Sequence, residues 1–326
     1  MDRKANSKKW DYLGLLGVLF GLVLLFGLLS EYFFSALTFR TLANQIPALT
    51  VIAVGMTFVL VIAGIDLSVG SVMAFSGAAL GLALVDWGAP LWAGSLVCLG
   101  AGLLCGIANG LIVTRWAIPS FIVTLGMLEM ARGGAYLVTG SQTKYVGSAV
   151  EGLGAPLAGV GLSVALFIAV FAVLVGQVAL SRTVFGRYCI AIGTNETACR
   201  LAGINVETWK LSVFALAGLM AGLGGLFHVA YLQTADPNAG IGLELSAIAA
   251  VVIGGTSLSG GKGSVFNSFL GVLIIAVLQT GLAQIGVSEP TKRLITGAVI
   301  IAAVIFDAYR NRSEGFGSAF LQIFRR

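Results

Sequence analysis

The sequence predicts an all-α fold, a polytopic bundle of about ten transmembrane helices, and three observations carry that expectation. Of 326 residues, 58% are hydrophobic and only 10% are charged, against about a quarter charged in soluble domains. The polar surface is therefore too small to coat a water-soluble globule, and mean hydropathy is +0.98. The apolar residues also run in stretches close to the roughly 20 residues a helix needs to cross about 30 Å of hydrocarbon. Finally, most charges, prolines and polar clusters fall between those stretches.

Cutting at the breaks gives segments near 13–30, 46–63, 70–86, 91–113, 119–138, 157–180, 211–232, 243–258, 264–285 and 292–309. The shorter ones fit a re-entrant or tilted course as well as a straight span, and 243–258 is the least regular. Arg3, Lys4, Lys8 and Lys9 precede the first run, which superficially resembles a secretory signal. The run from Leu13 to Leu29 is long for one, and no small-residue cleavage site follows, so it reads as an uncleaved first span. A single membrane-spanning domain is expected over 1–326, with tails at 1–12 and 310–326 and a loop at 181–210.

An even number of spans puts both termini on one side, and retention of Lys and Arg in the cytoplasm says which. With the termini inside, the cytoplasmic segments collect both tails' basic residues together with Arg115, Arg182, Arg187, Arg200, Lys210 and Lys262. Only Arg40, Arg132, Lys144, Lys292 and Arg293 fall outside or within a span. The net charge of +5 then reflects loops beside anionic lipid and gives no reason to expect nucleic acid as a partner.

The chain also repeats itself. Val61–Gly70 (VIAGIDLSVG) can be laid over Val252–Gly261 (VIGGTSLSGG), and after Lys262-Gly263 the match resumes with Ser71-Val72 against Ser264-Val265. The two copies lie an even number of spans apart, which makes the repeat parallel, a common transporter plan. Gly102, Gly106 and Gly110 form one small-residue stripe and Ala217, Ala221 and Gly225 another, each suited to close helix contact in lipid.

Catalytic constellations are missing from the sequence. Cys98, Cys105, Cys189 and Cys199 show no metal or disulfide spacing, and His228 is the only histidine. The stretch Gly255–Lys262 fails as a phosphate loop, because Thr256 stands where Gly is needed and Gly263 where Ser or Thr is needed. Neither enzymatic chemistry nor a cofactor is therefore expected of the chain, and any nucleotide hydrolysis belongs to a separate chain.

Ionisable residues within hydrocarbon are costly and therefore candidates for function. Asp66 and Ser68 sit at a glycine-bounded break, where both can cap the following helix or line a path. Glu129 and Arg132 are three apart and can neutralise each other, as a structural pair or in a pore. Glu244 opens the eighth segment, where the helix dipole favours a carboxylate. With Thr256 and Ser257 in the second repeat copy, these are the candidate path or gating residues. In the loop 181–210, Gly193, Thr194, Asn195, Glu196, Arg200 and Gly203 spell a short capped helix. Thr194 or Asn195 caps it, Glu196 meets the dipole and pairs with Arg200 at i+4, and Gly203 ends it. A helix held outside the membrane suits docking to a partner.

Three stretches together resemble the permease family of bacterial sugar ABC importers, the ribose, xylose and galactose type. They are Ala63–Gly70, the run from Gly186-Arg187-Tyr188 on to Gly193–Ile204, and Glu244–Gly263, and the resemblance covers roughly 40 to 310. It implies a permease homodimer or pseudo-dimer in the bacterial inner membrane. It also implies a pair of cytoplasmic ABC ATPase domains and a periplasmic or lipid-anchored sugar-binding protein that delivers a monosaccharide, with transport by alternating access. Residues 190–204 match the family's ATPase-docking loop. Ser246 stands where many members carry Asp, so no essential charge is assigned there. Two other readings are a related permease for branched-chain amino acids and a stand-alone ion-coupled transporter using Asp66, Glu129 and Glu244. Sugar choice is expected to rest largely on the binding protein.

Overall fold

The computed structural model describes residues 2–157, 159–302 and 304–305, with side-chain environments from residue 12 onward. Six of the helices start where the sequence supplies a short polar cap. Ser35, Ser163, Thr183, Asn195, Asn205 and Ser264 each accept a backbone N–H from the first turn they precede. The helices are α1 (Asp2–Leu29), α2 (Ala36–Gln45), α3 (Pro47–Val61), α4 (Val69–Gly81, extended by a π turn to Asp86), α5 (Leu91–Arg115) and α6 (Ser120–Thr139). There follow α7 (Glu151–Gly154), α8 (Val164–Arg182), α9 (Val184–Thr194), α10 (Glu196–Leu201), α11 (Val206–Leu232), α12 (Leu243–Ile253) and α13 (Val265–Gln284). Residues 289–302 are also helical. Among the described residues the β structure is an antiparallel ribbon of β1 (Lys144–Tyr145) and β2 (Thr234–Ala235), with an isolated bridge between Pro156 and Ser163.

Among the described residues seven helices are long and apolar enough to cross a membrane, or eight if α2 and α3, bent by 44°, form one span. The sequence led us to expect about ten. The difference lies in two segments. The expected span 243–258 is the 11-residue α12, about 16 Å long and half a bilayer deep. The expected last span is helical over 289–302, and its remainder and the tail 310–326 lie outside the described residues.

The connections sort to two ends of the bundle. At one end the breaks after α3 and α12 meet, with Gly261 N donating to Val61 O at 2.9 Å, and Ile65 N donates to Ser120 Oγ at 2.9 Å. At the other, the β1–β2 ribbon lies beside the Lys144–Asp86 ion pair, and Asn44 Nδ2 donates to the carbonyl of Gly161 at 3.2 Å.

The central helices are α3, buried on nearly every face, and α11, which crosses it. Backbones touch where α5 meets α11. A Cβ on Gly102 would lie 2.8 Å from Gly222 Cα, one on Gly106 would lie 2.9 Å from Gly218 Cα, and one on Gly110 would lie 3.0 Å from Leu211 Cα. The expected stripe on α5 thus forms, but its partners are Gly218 and Gly222. Ala217 instead packs on Gly55 of α3, and Gly225 packs on Met73 and Gly77 of α4. Outer helices such as α8 show apolar side chains, including Phe171, Leu174 and Val178, where lipid lies. Placing Val at 106 should lower the thermal unfolding midpoint of the detergent-solubilised protein markedly, since overpacking costs about 1–3 kcal/mol or more. An unchanged midpoint would refute a backbone contact at that seam.

Candidate functional site

The best-built polar assembly outside the spans is the turn from α9 through α10 into α11. Asn195 Oδ1 accepts from Ala198 N at 2.9 Å. At the far end Gly203 takes a left-handed φ of +80°, which a residue with a Cβ rarely adopts, and Ile204 N returns to the Cys199 carbonyl at 3.0 Å. Glu196 pairs with Arg200 at 2.8 Å and with Lys210 at 2.5 Å, and Arg200 also pairs with Glu207. Partial burial raises the Glu196 carboxyl, but the hydrogen bonds from Lys210 and Arg200 outweigh it and hold the group below its ordinary 4.5. Leu201, at the end of α10, is 86% exposed. Sequence reasoning missed it, because a leucine beside alanine reads as packing; its signal is that the polar network occupies other positions of the same short helix.

The base of this turn rests on both helix breaks. A Cβ on Gly193 would collide with Val61 O and lie 2.6 Å from Gly261 N, and one on Gly261 would lie 2.5 Å from Thr194 Oγ1. Three segments far apart in sequence therefore meet backbone to backbone, two or three residues before the docking helix begins.

The candidate path residues do not converge on one point. Asp66 and Ser68 are buried together: Asp66 Oδ1 accepts from Ser68 N at 2.8 Å and from Ser68 Oγ at 2.6 Å, and Asn109 Nδ2 donates to Ser68 Oγ at 3.0 Å. Ser68 makes no side-chain cap, because its hydroxyl is turned to Asp66. Asp66 secures the break, not the first turn of α4. Glu129 is exposed and forms no ion pair with Arg132. Arg132 donates instead to the carbonyls of Pro237 and Ala239, at 2.5 and 2.8 Å. Those carbonyls belong to non-helical backbone inside the bundle and need donors more than an exposed carboxylate needs a partner. Arg132 lies just past the middle of α6, so the loop after β2 descends to mid-depth and α12 starts there. Glu244 is in the first turn of α12, and its carboxylate occupies the space a side chain at Gly70 would need. Thr256 is buried with Oγ1 unpartnered, while Ser257 Oγ accepts from Ser259 N at 3.2 Å. Both stand in the break between α12 and α13.

The family model described as "Branched-chain amino acid transport system / permease component" matches residues 38–304. The chain belongs to that permease family. Among curated relatives, the ribose import permease protein of Escherichia coli (strain K12) is 38% identical over 294 residues, 88% of this chain and 90% of the relative. The ribose import permease protein of Bacillus subtilis (strain 168) is 39% identical over 297 residues, 89% and 90% of the two chains. The fructose import permease protein of Rhizobium meliloti is 34% identical over 291 residues, 86% and 81% of the two. The permease is thus a multi-pass membrane protein, in keeping with its apolar helices.

The permease carries a large cleft, of about 940 Å³, walled by α2, the start of α3, the end of α11, α13 and the helix over 289–302. It reaches down to Gly240–Ser246, where α12 begins. A smaller one, of about 370 Å³, lies at the opposite end between Ile62–Ile65, the start of α6 and the Glu196 network.

Because the Glu196 carboxyl is held low, its contribution is present above pH 4.5 and fades as pH falls through the lower value in the folded protein. Amide exchange over 196–203, corrected for intrinsic rates, should therefore quicken in acid, and Glu196→Gln should flatten that dependence; identical profiles would remove the network's role. At the buried break, Asp66→Asn keeps an acceptor for Ser68 N. Asp66→Ala leaves that group unmet, at about 1–3 kcal/mol. Thermal midpoints of the two variants should differ accordingly, with Asp66→Ala clearly lower.

Proposed function

We propose that the chain is the membrane-spanning subunit of an ATP-driven importer that moves a monosaccharide, a ribose-like pentose or similar, by alternating access. The observation that carries this reading is the capped, ion-paired α10 with its exposed Leu201, seated on the junction of the α3 and α12 breaks. A rigid knob outside the spans, joined to both breaks through Gly193, is suited to receive a push from a cytoplasmic ATPase and pass it inward. A stand-alone ion-coupled transporter would leave this module without a purpose.

In this reading the basic end of the bundle is cytoplasmic and both termini lie there. Ten passages result, with α12 and its descending loop forming one of them and the helix over 289–302 the last, and the two breaks are copies of a parallel repeat. ATP is used by an ABC ATPase partner, and the permease needs no cofactor. A periplasmic or lipid-anchored binding protein would dock at the end bearing the β1–β2 ribbon, and a second permease copy would complete the path. One domain spans the chain, with 181–210 as the docking loop and the tails 1–12 and 310–326 cytoplasmic. The family description mentions branched-chain amino acids, but relatives covering most of the chain are named for ribose and fructose. Those names favour a sugar.

Glu196→Lys, with Arg200 intact, reverses the centre of the docking network. In cells expressing the neighbouring subunits it should abolish uptake of labelled sugar and the co-purification of an ATPase, while the amount of membrane-inserted protein stays the same. Normal uptake in that variant would count against the docking role.

A further inference from the structure

The large cleft has a chemistry of its own. Its walls belong mainly to helices that cross the bilayer, yet they carry Gln45, His228, Gln279 and Thr280, none of which makes a side-chain hydrogen bond to another described residue. Neutral polar groups at this depth, with no protein partner, are tolerated where water or solute meets them and are costly against lipid. Tyr231 adds aromatic surface beside them. The charged residues on the lining, Glu289, Lys292 and Arg293, all sit at the start of the helix over 289–302. There Glu289 pairs with Lys292 at 2.6 Å and approaches Arg293 at 3.9 Å. Below that rim the lining from Gly240 to Ser246 presents no counter-charge except near Glu244, which is turned to Gly70.

We propose that this cleft is a contact site for an uncharged, polyhydroxylated solute within the permease, with Gln45, His228, Gln279 and Thr280 as its hydrogen-bonding groups. Amide, imidazole and hydroxyl groups offer both donors and acceptors to sugar hydroxyls, and the exposed Tyr231 ring offers a face to the sugar's C–H groups. An amino acid would bring an ammonium into a lining whose carboxylate, Glu289, is already paired with Lys292, which disfavours it. The site rests on the import reading and adds to it a place where the permease itself distinguishes solutes.

The test uses the intact importer in spheroplasts and cysteines placed at Gln279→Cys and, separately, Thr280→Cys. The wild-type chain is the blank, since Cys98, Cys189 and Cys199 are buried and Cys105 is half-buried. Val178→Cys, exposed on the lipid-facing side of α8, is the control. Both cleft cysteines should react with a membrane-impermeant thiol reagent added outside, while Val178→Cys does not. D-ribose, D-fructose or L-arabinose should slow the cleft reaction several-fold, and L-leucine should not. A cleft that fails to react at either position, or reacts without slowing by any of these sugars, overturns the proposal, as does equal protection by L-leucine. The ATPase co-purification reads the import mechanism separately: if it fails while sugar protection holds, the ATP-driven step is wrong and the site stands.

Discussion

A buried backbone N–H or C=O without a partner is costly, and this chain interrupts its helices at three largely buried places. Each interruption is met by a dedicated group. Hydroxyls of Ser120 and Thr124 on α6 receive the N–H groups of Ile65 and Leu67. The Arg132 guanidinium donates to the carbonyls of Pro237 and Ala239. The Val61 carbonyl receives Gly261 N. These bonds place α4 against α6, start α12 at mid-depth and bring the two breaks together beneath α9, so the arrangement of both clefts and the docking turn follows from them.

Charge is distributed by the same logic. The carboxylates and cations that pair with each other, Glu196 with Arg200 and Lys210, Asp86 with Lys144, and Glu289 with Lys292, lie at the ends of the bundle. Within the spans, Arg132 is bound to the backbone, and Asp66 is enclosed by Ser68 with Asn109 behind it. Glu129 alone among these faces outward from α6, and a carboxylate at that depth is far more favourable beside a polar path or a second permease copy than beside lipid tails.

Much of this was legible in the sequence, for local reasons. Hydrophobic runs located the helices because length and composition decide what crosses lipid, and α10 could be read residue by residue because caps, dipole charges and i+4 pairs act within a few positions. What could not be read depends on distant partners. The run 243–258 is equally apolar whether it crosses fully or halfway, and only the Arg132 clamp on the preceding loop decides. Glu129 and Arg132 have pairing distance in sequence, but the competing carbonyls are over a hundred residues away. On α11 two small-residue stripes lie about 100° apart around the helix, and nothing local says which meets α5. The cleft escaped notice because its walls come from separate stretches that each look like ordinary amphiphilic helix.

The seam between α5 and α11 has a mechanical meaning. Where Gly102 and Gly106 lie on Gly218 and Gly222, two backbones touch with no rotamers between them, so there is little soft material to yield when one helix is loaded. The pair should behave as a single stiff post. Opening and closing would then be carried by elements that reach the post through side chains or through single hydrogen bonds. The half-length α12 and the short α2, which meets α3 at a 44° bend, are the pieces of this protein with such hinges at their ends.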